Sequence, residues 1–248
     1  MEQYIQSYPL LNKGMVYRFQ SENGGIGDNI KFFMIALESC MKNGIRLYYQ
    51  KMHSENEKYI KLKHGIMYIT DDMVSSLNIT EIITPYMLYS SVHHNYSVDI
   101  NEVFYFAEDV IINSKLLFPQ DITNYIGIHV RLGDKFLETP QEYVPCKYDT
   151  RHFSVENMYQ FIENHMSEPI LLCCDNHEYK VKLQEKYPFI MITNCIIGHT
   201  ALCNTTPKQV LDAITEFYLL TNAKAIFAAS ESGFSIMASK FNNIPLLK

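Results

Sequence analysis

Gly127-Ile128-His129-Val130-Arg131-Leu132-Gly133-Asp134 is the stretch that decides the fold of this chain. It closes an apolar run over 125–130 that shows little alternation and then breaks into charge and glycine. Uninterrupted apolar strands suit a parallel sheet covered on both faces. Along a strand alternate residues share a side, so His129 and Arg131 leave the same face at the C-terminal end. In an open α/β sheet, ligands sit just beyond that end. Arg131 there presents a fixed fork of donors that fits a phosphate. The competing reading is a buried pair, Arg131 with Asp134, that holds the turn.

Working outward, the downstream sequence repeats the same alternation. A helix is expected over 154–166, a strand over 169–174, a helix from about 177 to 187 and a strand over 189–192. The next helix has the clearest signature: Thr206 and Gln209 form a capping box and Pro207 takes the first helical position. Val210, Leu211, Ile214, Phe217 and Tyr218 then line one face. A strand over 225–229 and a last helix near Phe234 follow. Upstream, a strand over 15–19, a helix over 29–43 capped by Gly44, and a strand over 45–49 make a βαβ unit. Phe32, Phe33, Ala36, Leu37 and Cys40 share one side of that helix. Strands alternating with helices argue an α/β, doubly wound architecture. The stretch 95–124 mixes helical and turn signals, and Pro119 marks a hinge. The expected division is residues 1–120 and 121–248, two Rossmann-like domains facing a cleft, where ligands commonly bind.

Composition bounds the possibilities. With 248 residues, 47% apolar and 19% charged, the chain is globular. A formal charge of −6 gives no field to draw it to nucleic acid or an anionic membrane, although a local basic site remains possible. The six cysteines, Cys40, Cys146, Cys173, Cys174, Cys195 and Cys203, make no CxxC pair. They read as free thiols rather than a zinc site. No basic start followed by an apolar stretch opens the chain, and no run is long enough to span a membrane. A cytoplasmic protein without a membrane span is the expectation.

Three further places carry chemistry. Asn23-Gly24-Gly25-Ile26-Gly27-Asp28 holds three of the ten glycines and leads into a helix. Glycines let a ligand approach the backbone, and a helix N-terminus favours negative charge. Neither G-x-G-x-x-G nor a Lys-Ser/Thr phosphate loop is present; a tight turn is the plainer alternative. In Leu171-Leu172-Cys173-Cys174-Asp175-Asn176, a carboxylate after an apolar strand can accept from a nucleobase or ribose, but helix capping accounts for it better. Ser230-Glu231-Ser232-Gly233-Phe234-Ser235 places small hydroxyl residues at a helix start, an anion site or ordinary cap chemistry. Together an Arg, a phosphate cradle and an Asp describe a nucleoside diphosphate site.

The run from His129 to Asp134 resembles the HxRxGD motif of the α-1,2-, α-1,6- and protein O-fucosyltransferases. Gly24-Gly25-Ile26-Gly27-Asp28-Asn29 is similar to their GGxGNQ segment, and Leu219-Leu220 through Ser232-Gly233-Phe234-Ser235 resembles their final motif. The likeness runs from about residue 14 to 245 and matches nothing over 52–121. It implies a GT-B-like pair of Rossmann-like domains, a GDP-fucose or other GDP-sugar donor, a glycan or protein acceptor, and inversion at the anomeric carbon. It further implies that Arg131 contacts the β-phosphate, His129 helps hold the nucleotide, and Asp175 reads guanine. Ser232 and Gly233 would contact the diphosphate, with Phe234, Gly25 and Gly27 completing the donor site. Two departures stand out: Leu132 replaces a frequent second basic residue, and Asp28 replaces an amide.

The sequence contains no Asp-x-Asp, the usual holder of a metal in sugar-nucleotide enzymes. Neither metal nor cofactor is expected; Arg131 and the backbone near Ser232 would stabilise the leaving diphosphate instead. Asp28 is the first candidate base and Asp134 the second. The rival readings are a GDP-sugar- or glycan-binding module without turnover, and a phosphate-ester hydrolase using His129.

Overall fold

A computed structural model of the chain describes residues 1–19, 24–51, 55–63, 65–93, 95–119, 122–138, 148–200 and 205–248. The first half runs α1 (Glu2–Ser7), β1 (Gly14–Phe19), α2 (Ile26–Asn43), β2 (Arg46–Lys51), α3 (Glu55–Tyr59), β3 (Ile60–Leu62) and β4 (Met67–Tyr68). It continues with α4 (Asp71–Ser76), β5 (Ile79–Ile83), α5 (Pro85–Leu88), α6 (Ile100–Val103), β6 (Phe104–Phe106) and α7 (Glu108–Leu117). The second half runs β7 (Ile126–Val130), α8 (Val155–Asn164), β8 (Ile170–Cys174), α9 (His177–Lys186) and β9 (Ile190–Ile192). It ends with α10 (Pro207–Thr221), β10 (Ala225–Ala228), α11 (Gly233–Phe241) and β11 (Leu246–Leu247).

Two sheets result, both parallel throughout. The first has the order β4-β2-β1-β5 and the second β11-β10-β7-β8-β9. Every residue of β7 and β8 is buried, as expected of strands covered on both faces. In each sheet the chain starts at a central strand, moves outward one way, and then returns to its other side. Such a reversal opens a crevice beyond the strand C-termini. The crevices lie beyond β1, where α2 begins, and beyond β7 and β10, where Arg131 and Ser232 lie. Residues 52–121, which the family resemblance left unmatched, contribute β3 and β6, an antiparallel ribbon, and α7, which packs on α10.

One apolar core crosses between the sheets. Tyr17, Phe33 and Phe104 share it with Phe217, Ile226 and Phe241, and α2 lies against α11. Sandwiching buries α10 on nearly every side, beyond the single face expected of it. Its capping box is complete: the Gln209 amide donates to Thr206 Oγ1 at 3.2 Å, and the Thr206 amide to Gln209 Oε1 at 3.1 Å. All strands of the first sheet precede residue 120 and all of the second follow residue 121; those two residues lie outside the described ones. Cys40, Cys173, Cys174 and Cys195 are free and buried, whereas Cys146 and Cys203 lie outside the described residues. Among the described residues no helix is long and apolar enough to cross a membrane.

The start of α2 differs from expectation. The helix begins at Ile26, three residues early, so Gly27 and Asp28 fall in its first turn. A distant partner sets this boundary: Thr200 Oγ1 accepts the Ile26 amide at 2.9 Å.

Candidate functional site

A cleft of about 620 Å³ opens where the C-terminal ends of the two sheets meet. That volume suits a cofactor-sized ligand. His129, Arg131, Asp134, Asp175, Ser232, Gly233 and Phe234 line it from the second half, and Gly25, Gly27 and Asp28 from the first. Every residue that sequence reading assigned to the site is therefore brought together, although several have different partners from those expected.

Arg131 follows β7 and is fixed at three points. Its amide donates to Ser230 Oγ at 2.8 Å, Nη1 bonds Asp175 Oδ2 at 2.5 Å, and Nη2 bonds Asp134 Oδ1. A guanidinium has five N–H donors, so part of the fork remains for a ligand. Gly133 makes the turn possible: its φ of 114° is open to glycine, and a Cβ there would overlap the Asp149 carbonyl.

Asp175, expected as the guanine reader, is engaged by the chain itself. Oδ2 also accepts the Gly133 amide at 3.0 Å, while Oδ1 takes the Leu132 amide at 2.8 Å and the Cys174 thiol at 3.5 Å. A carboxylate has about four acceptor positions, and here the chain itself fills them. Asp175 is thus the clamp that shapes the turn carrying Arg131. The neighbouring residue, Asn176, caps α9 through the Tyr179 amide.

Two helix N-termini reach the cleft. Ser232 caps α11 by accepting the Phe234 amide at 3.2 Å. Gly25 is the N-cap position of α2. A Cβ on Gly27 would overlap the Gly233 carbonyl group, so this glycine lets α2 and α11 meet. Asp28, beside Gly233, bonds Lys31 Nζ at 2.6 Å. Partial positive charge from both helices thus converges on one space.

His129 is 4% exposed and stacks on Phe234, with centroids 5.0 Å apart and planes at 17°. Burial, and then the Arg131 charge, hold its pKa down to about 3, so the ring is neutral. Its Nδ1 is buried without a partner. An orphaned ring nitrogen beside a cleft is a position for a ligand to complete.

Three functional candidates escaped sequence reading. Glu216, on α10, is 2% exposed and lines the cleft. Its Oε1 accepts from Lys180 Nζ at 2.7 Å and from the Thr193 hydroxyl. The fully buried Lys180 ammonium also reaches Cys195 O at 3.0 Å and Thr193 Oγ1 at 3.3 Å, which matches all three of its hydrogens. Burial works against this cation, but the charge and hydrogen bond of Glu216, with smaller help from Cys195 and Cys173, together outweigh it and raise its pKa. Burial also raises the Glu216 carboxyl against the pull of Lys180; the matched ammonium favours the ionised pair. One turn earlier Ala213 packs with Ile197, so an apolar wall adjoins the carboxylate. A carboxylate on the buried face of a helix was the available signal for Glu216. Its partner Lys180 sits in a polar-looking helix and gives none. His199 lies in a loop without periodicity, lines the cleft, and gives no local signal either.

Among the described residues, no group of three His, Cys, Asp or Glu side chains is placed to hold a metal ion.

No protein-family model matches the chain, and no curated protein matches its sequence. Solved structures do match it. The Bradyrhizobium NodZ α-1,6-fucosyltransferase soaked with GDP-fucose superposes with a TM-score of 0.62 over 92% of each chain, at 11% identity. NodZ co-crystallised with GDP gives 0.61 over 91% of each chain, at 12% identity. The R284K mutant of Arabidopsis thaliana FUT1 in complex with GDP gives 0.60, covering 98% of this chain and 73% of that one, at 10% identity. The chain has the GT-B-like fold of these glycosyltransferases.

Proposed function

We propose that the chain is an inverting glycosyltransferase that takes a GDP-sugar, GDP-fucose first, and transfers the sugar to a glycan or protein hydroxyl. One observation carries this reading: a clamped Arg131 and the N-termini of α2 and α11 converge on a single cleft. This is the potential that a departing diphosphate requires. The structural neighbours solved with GDP and GDP-fucose support the choice of donor.

In the proposed reaction the acceptor oxygen bonds the anomeric carbon as the carbon–diphosphate bond breaks on the opposite face. Charge grows on the departing GDP, where Arg131 and the α11 amides stabilise it without a metal ion. Guanine presents two adjacent donors, N1–H and the 2-amino group. With Asp175 occupied and Glu216 Oε1 held by Lys180 and Thr193, the second carboxylate oxygen of Glu216 is the proposed acceptor for the 2-amino group, and His129 Nδ1 is available to a further polar group of the nucleotide. The acceptor would approach past Tyr89 and Val92, which line the cleft from the first half. Asp28 and Asp134, the expected bases, are each engaged by a cation, Lys31 and Arg131. Each would have to surrender that bond to take a proton.

Thermal shift with GDP, GDP-fucose, ADP and UDP tests the donor site. At a hundred times its Kd, a ligand stabilises the fold by about 2.7 kcal/mol. A guanine-selective shift that disappears in Arg131→Ala supports the reading, and no shift with any nucleotide refutes it. Turnover surviving EDTA supports metal independence; loss restored by a divalent ion refutes it. GDP binding without GDP release from GDP-fucose, across an acceptor panel, would favour a binding module.

A further inference from the structure

We propose that His199 is the proton acceptor for the attacking hydroxyl, an assignment that rests on the donor reading above. Three hydrogen bonds fix the backbone that carries it. Thr205 Oγ1 donates to His199 O at 2.7 Å, Asn56 Nδ2 donates to Thr200 O at 2.8 Å, and Thr200 Oγ1 accepts the Ile26 amide at 2.9 Å. The loop is thereby fastened to α3 and to the first turn of α2. A general base is effective when held in place, since its reach to the proton decides the rate.

The surroundings suit a base. Asp134 and Arg131 act on His199 from the turn after β7, Asp28 from α2, and Asp149 from the segment before α8. Lys31 and Arg151 also line the cleft but are paired with Asp28 and Asp149. Burial and then Arg131 lower the imidazole pKa against the pull of the three carboxylates, which leaves the ring neutral near pH 7. Those carboxylates then stabilise the imidazolium that proton transfer creates, as an acidic neighbour does in other His-dependent sites. The step balances. The hydroxyl proton passes to an imidazole nitrogen, the oxygen bonds the anomeric carbon, and the carbon–phosphate oxygen bond breaks with its electrons staying on GDP. The proton later leaves to solvent.

GDP release from GDP-fucose in the presence of an acceptor panel, and GDP affinity by calorimetry, test this on wild type, His199→Gln and His199→Ala. The expected result is a kcat loss of about 10²- to 10⁴-fold with GDP affinity within a few-fold. The acid limb of the kcat/KM profile should vanish in His199→Gln, and imidazole should restore part of the His199→Ala rate. Unchanged kcat, or GDP affinity falling in step with rate, overturns the assignment while leaving the donor reading intact. A wild-type chain that neither binds GDP nor releases it overturns both.

Discussion

Replacing Glu216 by Gln removes one charge and leaves the side-chain shape, which separates its two duties. Its carboxylate balances Lys180, which is 0% exposed. Removing one member of a buried ion pair costs about 3–5 kcal/mol, and the amide oxygen that remains for Lys180 and Thr193 places Gln at the low end. At roughly 2–4 °C per kcal/mol for a chain of this size, the melting temperature should fall by about 6–12 °C. The second duty, under the proposed function, is recognition of the guanine edge. A hydrogen bond to a charged group is worth about 1.5–3 kcal/mol, or about 10- to 150-fold in affinity. IDP lacks only the 2-amino donor of GDP, so wild type should prefer GDP by about that factor, and Glu216→Gln should lose most of the preference. Calorimetric titration of both nucleotides into both proteins, at temperatures where each is folded, measures the ratio. Asp175→Asn supplies the contrast: it loosens the Arg131 clamp and should weaken GDP and IDP alike. An unchanged GDP-to-IDP ratio in Glu216→Gln would refute Glu216 as the base reader, however far the melt moves.

Gly27→Ala places a methyl against the Gly233 carbonyl and forces α2 from α11; a cost of about 1–3 kcal/mol should lower the melt by roughly 2–12 °C. An unchanged melt would remove that contact from the account. His129 stays neutral in the fold down to about pH 3, whereas the unfolded chain protonates it near 6.5. Its share of stability is therefore complete above about pH 6.5 and is lost on acidification, by up to about 1.4 kcal/mol per pH unit until the folded pKa is reached. Urea melts from pH 7 to 4 should be shallower in pH for His129→Gln than for wild type; equal slopes would count against a buried neutral imidazole. Asp134→Asn removes a carboxylate that competes with the diphosphate for Arg131, while Asp175 keeps the guanidinium in place. GDP should bind several-fold tighter, and weaker binding would show that Asp134 orients Arg131.

The legible parts of this molecule are those written in local pattern. The buried runs of β7 and β8, the capping box of α10 and the left-handed Gly44 after α2 all follow from neighbours a few residues apart. What escaped depends on contacts distant in sequence. The first turn of α2 is set by Thr200, 174 residues away, and the burial of Lys180 by Glu216, 36 residues away. Gly27 shows the same limit within a motif that was noticed. Its place in a glycine-rich turn suggested a ligand contact, yet its missing side chain admits another helix. Asp175 likewise carried the right chemistry for a base reader, but the turn it closes had already claimed its oxygens.

The charges along the cleft explain why the backbone must share the work. Among the described residues six carboxylates, Asp28, Asp134, Asp149, Asp175, Glu216 and Glu231, line it against three cations, Lys31, Arg131 and Arg151. Each of those cations already faces a carboxylate, and Arg131 faces two. Side-chain charge alone therefore offers a diphosphate little net attraction. The helix N-termini differ, because their partial positive charge is fixed in the backbone, although Thr200 takes the Ile26 amide and Ser232 the Phe234 amide. Leu132 adds no charge after Arg131, and the two helix starts meet across Gly27 and Gly233. In the proposed reaction Arg131 would direct the leaving group, held in register by Asp175, with the two helix starts supplying the rest of the potential.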